Sequence, residues 1–204
     1  MMELINSMQP CLTRHLDLGC GPSPRNPFGA DLLFGVDLIA REESGIEVRT
    51  ANLAINPIPF DSNYFDSISA YDFLEHIPRQ LYLESTKELI FPFIRLMDEI
   101  HRVLKPGGRL LAHTPSASSE EAYQDPTHVN PITARTHEYF CVPKLWGAMY
   151  GFKGSFLAEY VGMTDMTNLK KLEFGTFRGK MRDAHRRIFG KPASHICWLF
   201  RSVK

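Results

Sequence analysis

Residues 15–38, "HLDLGCGPSPRNPFGADLLFGVDL", decide the fold. They hold two short apolar runs, 14–19 and 32–38, each bounded by glycine or proline and each carrying an aspartate near its end, Asp17 and Asp37. Runs of this kind suit strands buried on both faces of a parallel sheet. Between them stand Gly19 and Gly21, followed by Pro22, Pro24 and Pro27 where a crossover helix would ordinarily begin. Proline lacks an amide N–H and fixes its own φ, so that helix is expected to be displaced, very short or absent.

Further along the chain, "IEVRTANL" (46–53) alternates as a third strand, a fourth lies near 65–71, and "GRLLAHTP" (108–115) is a fifth. Between the last two, Phe93, Met97, Ile100 and Leu104, with Val103 beside them, recur at helical spacing; Pro92 fits the first turn and "LKPGG" the stop. A strand, a crossover helix and another strand make a right-handed parallel unit, so the sheet is doubly wound. Residues 78–91, "PRQLYLESTKELIF", lengthen that crossover as a helical turn or a surface loop, placed to cover a pocket at the end of the fourth strand. Past Pro115 comes the polar "SASSEEAYQDPTHVNPIT", then "ARTHEYF" with Thr133 as its expected cap. The C-terminal third offers strands in "GSFLAEYV", "LKKLEFGTF" and "HICWLFRSV", and Trp146, Tyr150, Phe152 and Phe156 read as core.

In an open parallel sheet, ligands bind at the carboxyl ends of the strands where strand order reverses. Asp17, Gly19, Gly21 and Asp37 all belong to such ends. Glycines let the backbone approach a ligand, and an acidic residue 20 positions after Asp17 can accept from both hydroxyls of a ribose. A dinucleotide would also need a third glycine and a helix N-terminus facing its pyrophosphate, which the prolines remove. A nucleoside cofactor without phosphates is the economical reading, and S-adenosylmethionine is the common one.

The segments "LDLGCG", "GVDL", "ANLAINPIPFDSNYFDSISAYDFLEHI" and "IHRVLKPGGRLLAHTP" resemble, in order and near-spacing, the class I S-adenosylmethionine-dependent methyltransferases over residues 14–115. The resemblance implies an α/β, doubly wound, Rossmann-like, mostly parallel sheet of about seven strands in three layers, with the last strand antiparallel. It implies that Asp17, Gly19 and Gly21 surround the methionine part of the cofactor and that Asp37 holds the ribose. Leu38 would pack on the adenine, Asn52 and Leu53 would lie at its edge, and Tyr71 and Asp72 would lie closest to the transferred methyl. One domain over 1–204 is expected, with a cofactor half at about 11–115 and acceptor-side segments at about 78–91 and 116–160. S-adenosylhomocysteine would be the product. The family often has Asp where this chain has Asn52; the Asn carbonyl still accepts from an adenine amino group.

The chain has 204 residues, 44% hydrophobic and 23% charged, which suits a globular fold rather than disorder. Formal net charge is zero, so no global field favours nucleic acid, and a small-molecule acceptor is expected. The charge is uneven: residues 151–204 balance at +7, and "FRGKMRDAHRRIFGK" (177–191) is the candidate basic rim for an anionic substrate. Cys11, Cys20, Cys141 and Cys197 show no zinc-ligand spacing, and neither a signal peptide nor a membrane span is evident, so reduced thiols and a cytoplasmic protein are expected.

His76, His113 and His128 are the candidate general bases, since an unperturbed imidazole titrates near pH 6.5. Asp72, Asp125 and His128 are candidates for contact with the acceptor, because "QDPTHVNPIT" follows the fifth strand on the active face and resembles a stretch in a subset of these methyltransferases. No metal is expected, since no spacing fixes the histidines relative to one another. Two rival functions are a non-catalytic S-adenosylmethionine-binding module and a nicotinamide-dependent oxidoreductase; the cofactor bound discriminates the oxidoreductase.

Overall fold

A computed structural model describes residues 12–39, 45–164 and 193–204. Its strands are β1 (Arg14–Leu18), β2 (Leu32–Asp37), β3 (Glu47–Thr50), β4 (Phe65–Tyr71), β5 (Leu81–Leu83), β6 (Glu88–Ile90), β7 (Leu104–Pro115), β8 (Phe156–Thr164) and β9 (His195–Ser202); its α-helices are α1 (Pro92–Val103) and the short α2 (Glu121–Gln124). Seven strands make one sheet in the order β3-β2-β1-β4-β7-β9-β8. The first five are parallel neighbours and β9 runs antiparallel to both β7 and β8. Strand order reverses between β1 and β4, which places a crevice above their carboxyl ends.

Alternation along the strands divides the sheet into two unlike faces. Leu16 and Leu18 of β1, Ile68 and Ala70 of β4, and Leu110 and Ala112 of β7 join the main core. α1 covers that face with Phe93, Leu96, Met97, Ile100 and Val103, all buried. At roughly 2 kcal/mol for each large apolar side chain, this stripe contributes on the order of 10 kcal/mol of gross stabilisation. The intervening residues pair across the other face: His15 opposite Ser67, Asp17 opposite Ser69, Tyr71 opposite His113. There the apolar material is small, Tyr71, Leu111 and Cys197 with Phe28 and Tyr160 packed on them. The loop carrying Phe28 thus supplies a third layer opposite α1.

Four local expectations are corrected. Residues 78–91 form neither a helical turn nor a plain loop, because β5 and β6 pair as an antiparallel hairpin. Leu104 leaves the helical stripe: its backbone is extended (φ −68°, ψ 142°) and it begins β7, buried, while residues 105–108 make a register shift against β4. The Lys105 ammonium explains the continuation, since it bridges both carboxylate oxygens of Asp66 at 2.8 Å. Thr133 does not cap "ARTHEYF" with its side chain; the turn there is a 3-10 helix, Thr136–Tyr139, and the Thr133 amide donates instead to Thr136 Oγ1 at 2.9 Å. Phe152 and Phe156 are core, but Trp146 and Tyr150 line a cleft of about 620 Å³ together with Arg79, Phe91, Arg135 and Tyr139. Cys11, "LKKLEFGTF" and residues 177–191 lie outside the described residues. Among the described residues, no helix is long and apolar enough to cross a membrane.

Candidate active site

The glycine turn grows directly from β1. Gly19 has φ +61° and Gly21 φ +58°, conformations that L side chains rarely adopt. A Cβ on Gly19 would also lie 2.4 Å from the Phe73 ring, so the turn after β1 and the turn after β4 need this glycine to pack together. A Cβ on Gly21 would enter open space. The Gly21 amide donates to Asp37 Oδ2 at 2.9 Å, and the Ile39 amide to Asp37 Oδ1 at 3.3 Å. A carboxylate offers about four acceptor positions, so Asp37 retains capacity for two hydroxyls. Leu38, 64% exposed, presents an apolar surface beside it. Asn52 Oδ1 accepts from the Ala54 amide at 3.1 Å, while the Leu53 side chain is buried in the main core and offers only its backbone.

The proline-rich segment carries no helix. It folds back as a loop braced by Asn26, whose side chain exchanges two hydrogen bonds with the Ala30 backbone. This loop returns to the site: the Arg25 amide donates to Asp17 Oδ2 at 2.8 Å, the Arg25 guanidinium lies 4.6 Å over the Tyr71 ring, and Phe28 packs on His15. Asp17 is buried and its other oxygen accepts from Ser69 Oγ at 2.5 Å. Burial pushes its carboxyl up to about 6, against those hydrogen bonds. Burial likewise lowers His15 to about 4, although its ring contacts Ser67 and Ser69 hydroxyls at 2.7 and 2.8 Å.

Beyond Tyr71 the chain enters a tight turn. Asp72 sits at φ +48°, in the left-handed region that Asp tolerates better than most residues, with its amide donating to the His113 carbonyl at 2.8 Å. Its Oδ1 lies 3.4 Å from His113 Nδ1 and 3.5 Å from His195 Nε2, and the two imidazoles stack at 4.5 Å between centroids. Burial alone would raise Asp72, but His113, His195 and Arg25 outweigh it and hold the carboxyl below its ordinary value. His113 is fully buried, so its reach toward a ligand passes through Asp72.

The 3-10 turn Leu74–His76 and the "DPTHVN" loop form one interlocked unit. The Val129 and Asn130 amides both donate to the Glu75 carbonyl at 2.9 Å, and Asn130 Nδ2 donates to the Leu74 carbonyl at 3.1 Å. Asn130 Oδ1 in turn accepts from Arg79 Nε at 2.8 Å. This brings His76, His128 and Asp125 together: the His76 and His128 rings are 4.8 Å apart, and His128 Nε2 lies 3.9 Å from Asp125 Oδ2. His113 is not in this group; it faces Asp72 and His195. Asp125 is held below the ordinary carboxylate range by the Thr127 hydroxyl and amide.

Glu75 was absent from the residues expected at the site. It is 2% exposed, receives the Thr114 hydroxyl on Oε2 at 2.8 Å, and burial pushes its carboxyl up to about 7. The signal was present in "DFLEH", where an acidic residue neighbours histidine, but only the fold turns it inward. His195 and Arg25 were also unforeseen, because one arrives from the last strand and the other from the proline-rich loop, for which the sequence specified only a displaced, short or absent helix.

A family model described as "Methyltransferase domain" matches residues 6–144. No curated protein matches the sequence. Among solved structures, a chain from the complex of the Haloferax volcanii Trm112 methyltransferase activator with a methyltransferase is 13% identical, with 97% of this chain and 86% of that one covered at a TM-score of 0.58. An S-adenosylmethionine-dependent methyltransferase from Mesorhizobium loti is 18% identical, with 95% and 94% covered at 0.52. One from Archaeoglobus fulgidus is 18% identical, with 93% and 86% covered at 0.53. At such identities these structures carry the fold alone; the family model, spanning more than half the sequence, carries the membership. The chain belongs to the methyltransferase-domain family, as a class I S-adenosylmethionine-dependent methyltransferase.

Proposed function

We propose that this enzyme methylates a small molecule held over the carboxyl ends of β4 and β7, between the Leu74–His76 turn and the loop of residues 125–130. The observation that carries the reading is the convergence of the Gly19 and Gly21 turn, Asp17 and Asp37 beside Asp72 at the point where strand order reverses. When bound, S-adenosylmethionine supplies an electrophilic methyl carbon on a sulfonium. Asp37 would take the cofactor's ribose hydroxyls, Leu38, Asn52 and Leu53 its adenine, and Tyr71 would close the floor, while Asp17, buried with its oxygens bonded to Ser69 Oγ and the Arg25 amide, would shape the turn around the methionine part.

The protein's main contribution is then to hold donor and acceptor about 3 Å apart and in line. Asp72, fixed by its backbone and by two imidazoles, and Asp125 would orient the acceptor. His76 and His128 stand where a proton would be removed, whereas His113 acts by positioning Asp72. Zero net charge supports a small acceptor over a nucleic acid. Cys141 and Cys197 are buried free thiols, which supports a reducing compartment such as the cytoplasm.

Formation of S-adenosylhomocysteine, measured against a panel of small phenols, amines and thiols, tests this reading. Turnover that depends on one acceptor class is expected. Asp37→Ala should weaken cofactor binding at least tenfold without unfolding the protein, and His128→Ala should lower turnover more than cofactor affinity. Methylation of RNA or protein with no small-molecule turnover would contradict the acceptor class, and an unchanged Kd in Asp37→Ala would move the ribose site.

A further inference from the structure

We propose that Glu75, His76 and His128 form a binding site for a divalent transition-metal ion. One ligand atom from each lies within 4.8 Å of the others, and His128 Nε2 is 4.0 Å from Glu75 Oε1. Hydrogen bonding fixes which nitrogens keep a lone pair for a ligand. His128 Nδ1 is 3.2 Å from the Ala122 carbonyl, which can only accept, so Nδ1 carries the proton and Nε2 presents a lone pair. Thr127 Oγ1 donates to Asp125 Oδ1 at 2.7 Å, so it must accept from His76 Nδ1 at 3.0 Å, and His76 Nε2 also presents a lone pair. Such outer partners are what hold metal-ligating histidines in one tautomer and orientation.

Beside these nitrogens stands a carboxylate oxygen, Glu75 Oε1, buried and, among the described residues, without a hydrogen-bond partner. A cation placed among the two lone pairs and the carboxylate oxygen would be attracted by all three. A proton shared by Glu75 and His128 does not satisfy the geometry, because 4.0 Å exceeds a hydrogen bond. A metal ion does: bonds of about 2.1 Å to nitrogen and oxygen set ligand atoms roughly 3.0 to 4.2 Å apart, so small side-chain shifts close the site. Two imidazoles and one carboxylate suit zinc, manganese, iron or cobalt better than magnesium or calcium, and leave positions open. Asp125, 3.9 Å from His128 Nε2, is near enough to supply a further ligand.

The second histidine cluster, Asp72, His113 and His195, has ligand atoms at similar separations, but His113 is fully enclosed. The Glu75 site opens toward solvent past Thr127, which is exposed. Resting on the methyltransferase reading, the ion's use would be to hold an acceptor oxygen and lower its pKa, which selects hydroxylated acceptors. Metal binding itself does not depend on that reading.

Titration of the full chain with Zn²⁺, Mn²⁺ and Co²⁺, followed by calorimetry and by the Co²⁺ absorption spectrum, tests the site. One ion per chain is expected, with affinity falling at least a hundredfold in His128→Ala and in Glu75→Gln and unchanged in the control His137→Ala. Circular dichroism and S-adenosylmethionine binding, retained in the variants, show that they fold. Absence of binding by all three metals at millimolar concentration overturns the proposal. So does binding that survives both ligand substitutions or that is lost in His113→Ala alone. Loss of cofactor binding by the wild-type chain would sink the methyltransferase reading while leaving the metal result to stand on its own.

Discussion

Asp17 and His15 are neighbours on one face of β1, and burial moves them in opposite directions. Asp17 is raised from 3.8 to about 6, so between those values the folded protein binds more protons at this residue than the unfolded chain does, and stability falls as pH rises. His15 is lowered from 6.5 to about 4, so in that window the unfolded chain binds more protons and stability rises with pH. The two slopes oppose each other from about pH 4 to 6. Asp17→Asn removes only the first, so the variant should gain stability relative to wild type as pH rises through that window. Urea unfolding midpoints at both ends of the window check this; parallel pH profiles would mean that Asp17 is ionised throughout. Asp17, Gly19 and Gly21 were legible as a strand-end carboxylate and turn glycines, whereas His15 was not, nor was the pairing of Asp17 with Ser69 and the Arg25 amide, which comes from two separate connections.

Among the elements, α1 and the β3–β4 connection depend on one side chain. Arg102 donates to the carbonyls of Ile58 and Phe60, each at 2.8 Å, and to both carboxylate oxygens of Glu99, while Glu99 Oε2 accepts from the Ile58 amide at 2.9 Å. This clamp fixes the connection without a helix of its own. Arg102→Met should cost about 2 kcal/mol, because it strips charge-assisted bonds from partly buried carbonyls; denaturant unfolding measures it, and a cost below about 0.5 kcal/mol would make the clamp a bystander. Helical periodicity revealed α1, and proline and glycine its start and stop. The β5–β6 hairpin was hidden because strands of three residues offer too little alternation, and because "LESTKEL" lacks the Gly or Asn that marks most tight hairpins.

At the scale of the molecule, the five parallel strands of the first 115 residues were legible because buried parallel strands leave continuous apolar runs, whereas the antiparallel last strand was expected only from the family resemblance. The acceptor side was less so. As proposed, it draws on the Leu74–His76 turn, the 125–130 loop and the first residue of β9, pieces far apart in the sequence, and no local pattern specifies which of their side chains meet. The cofactor crevice is the part on which every other assignment depends. Calorimetric titration of the purified chain with S-adenosylmethionine tests it most directly. Single-site binding with a micromolar Kd is expected, and ligand at 100 times that Kd should add about 2.7 kcal/mol of stability. No heat of binding at millimolar S-adenosylmethionine, with the protein folded, would contradict the assignment of Asp17, Gly19, Gly21 and Asp37.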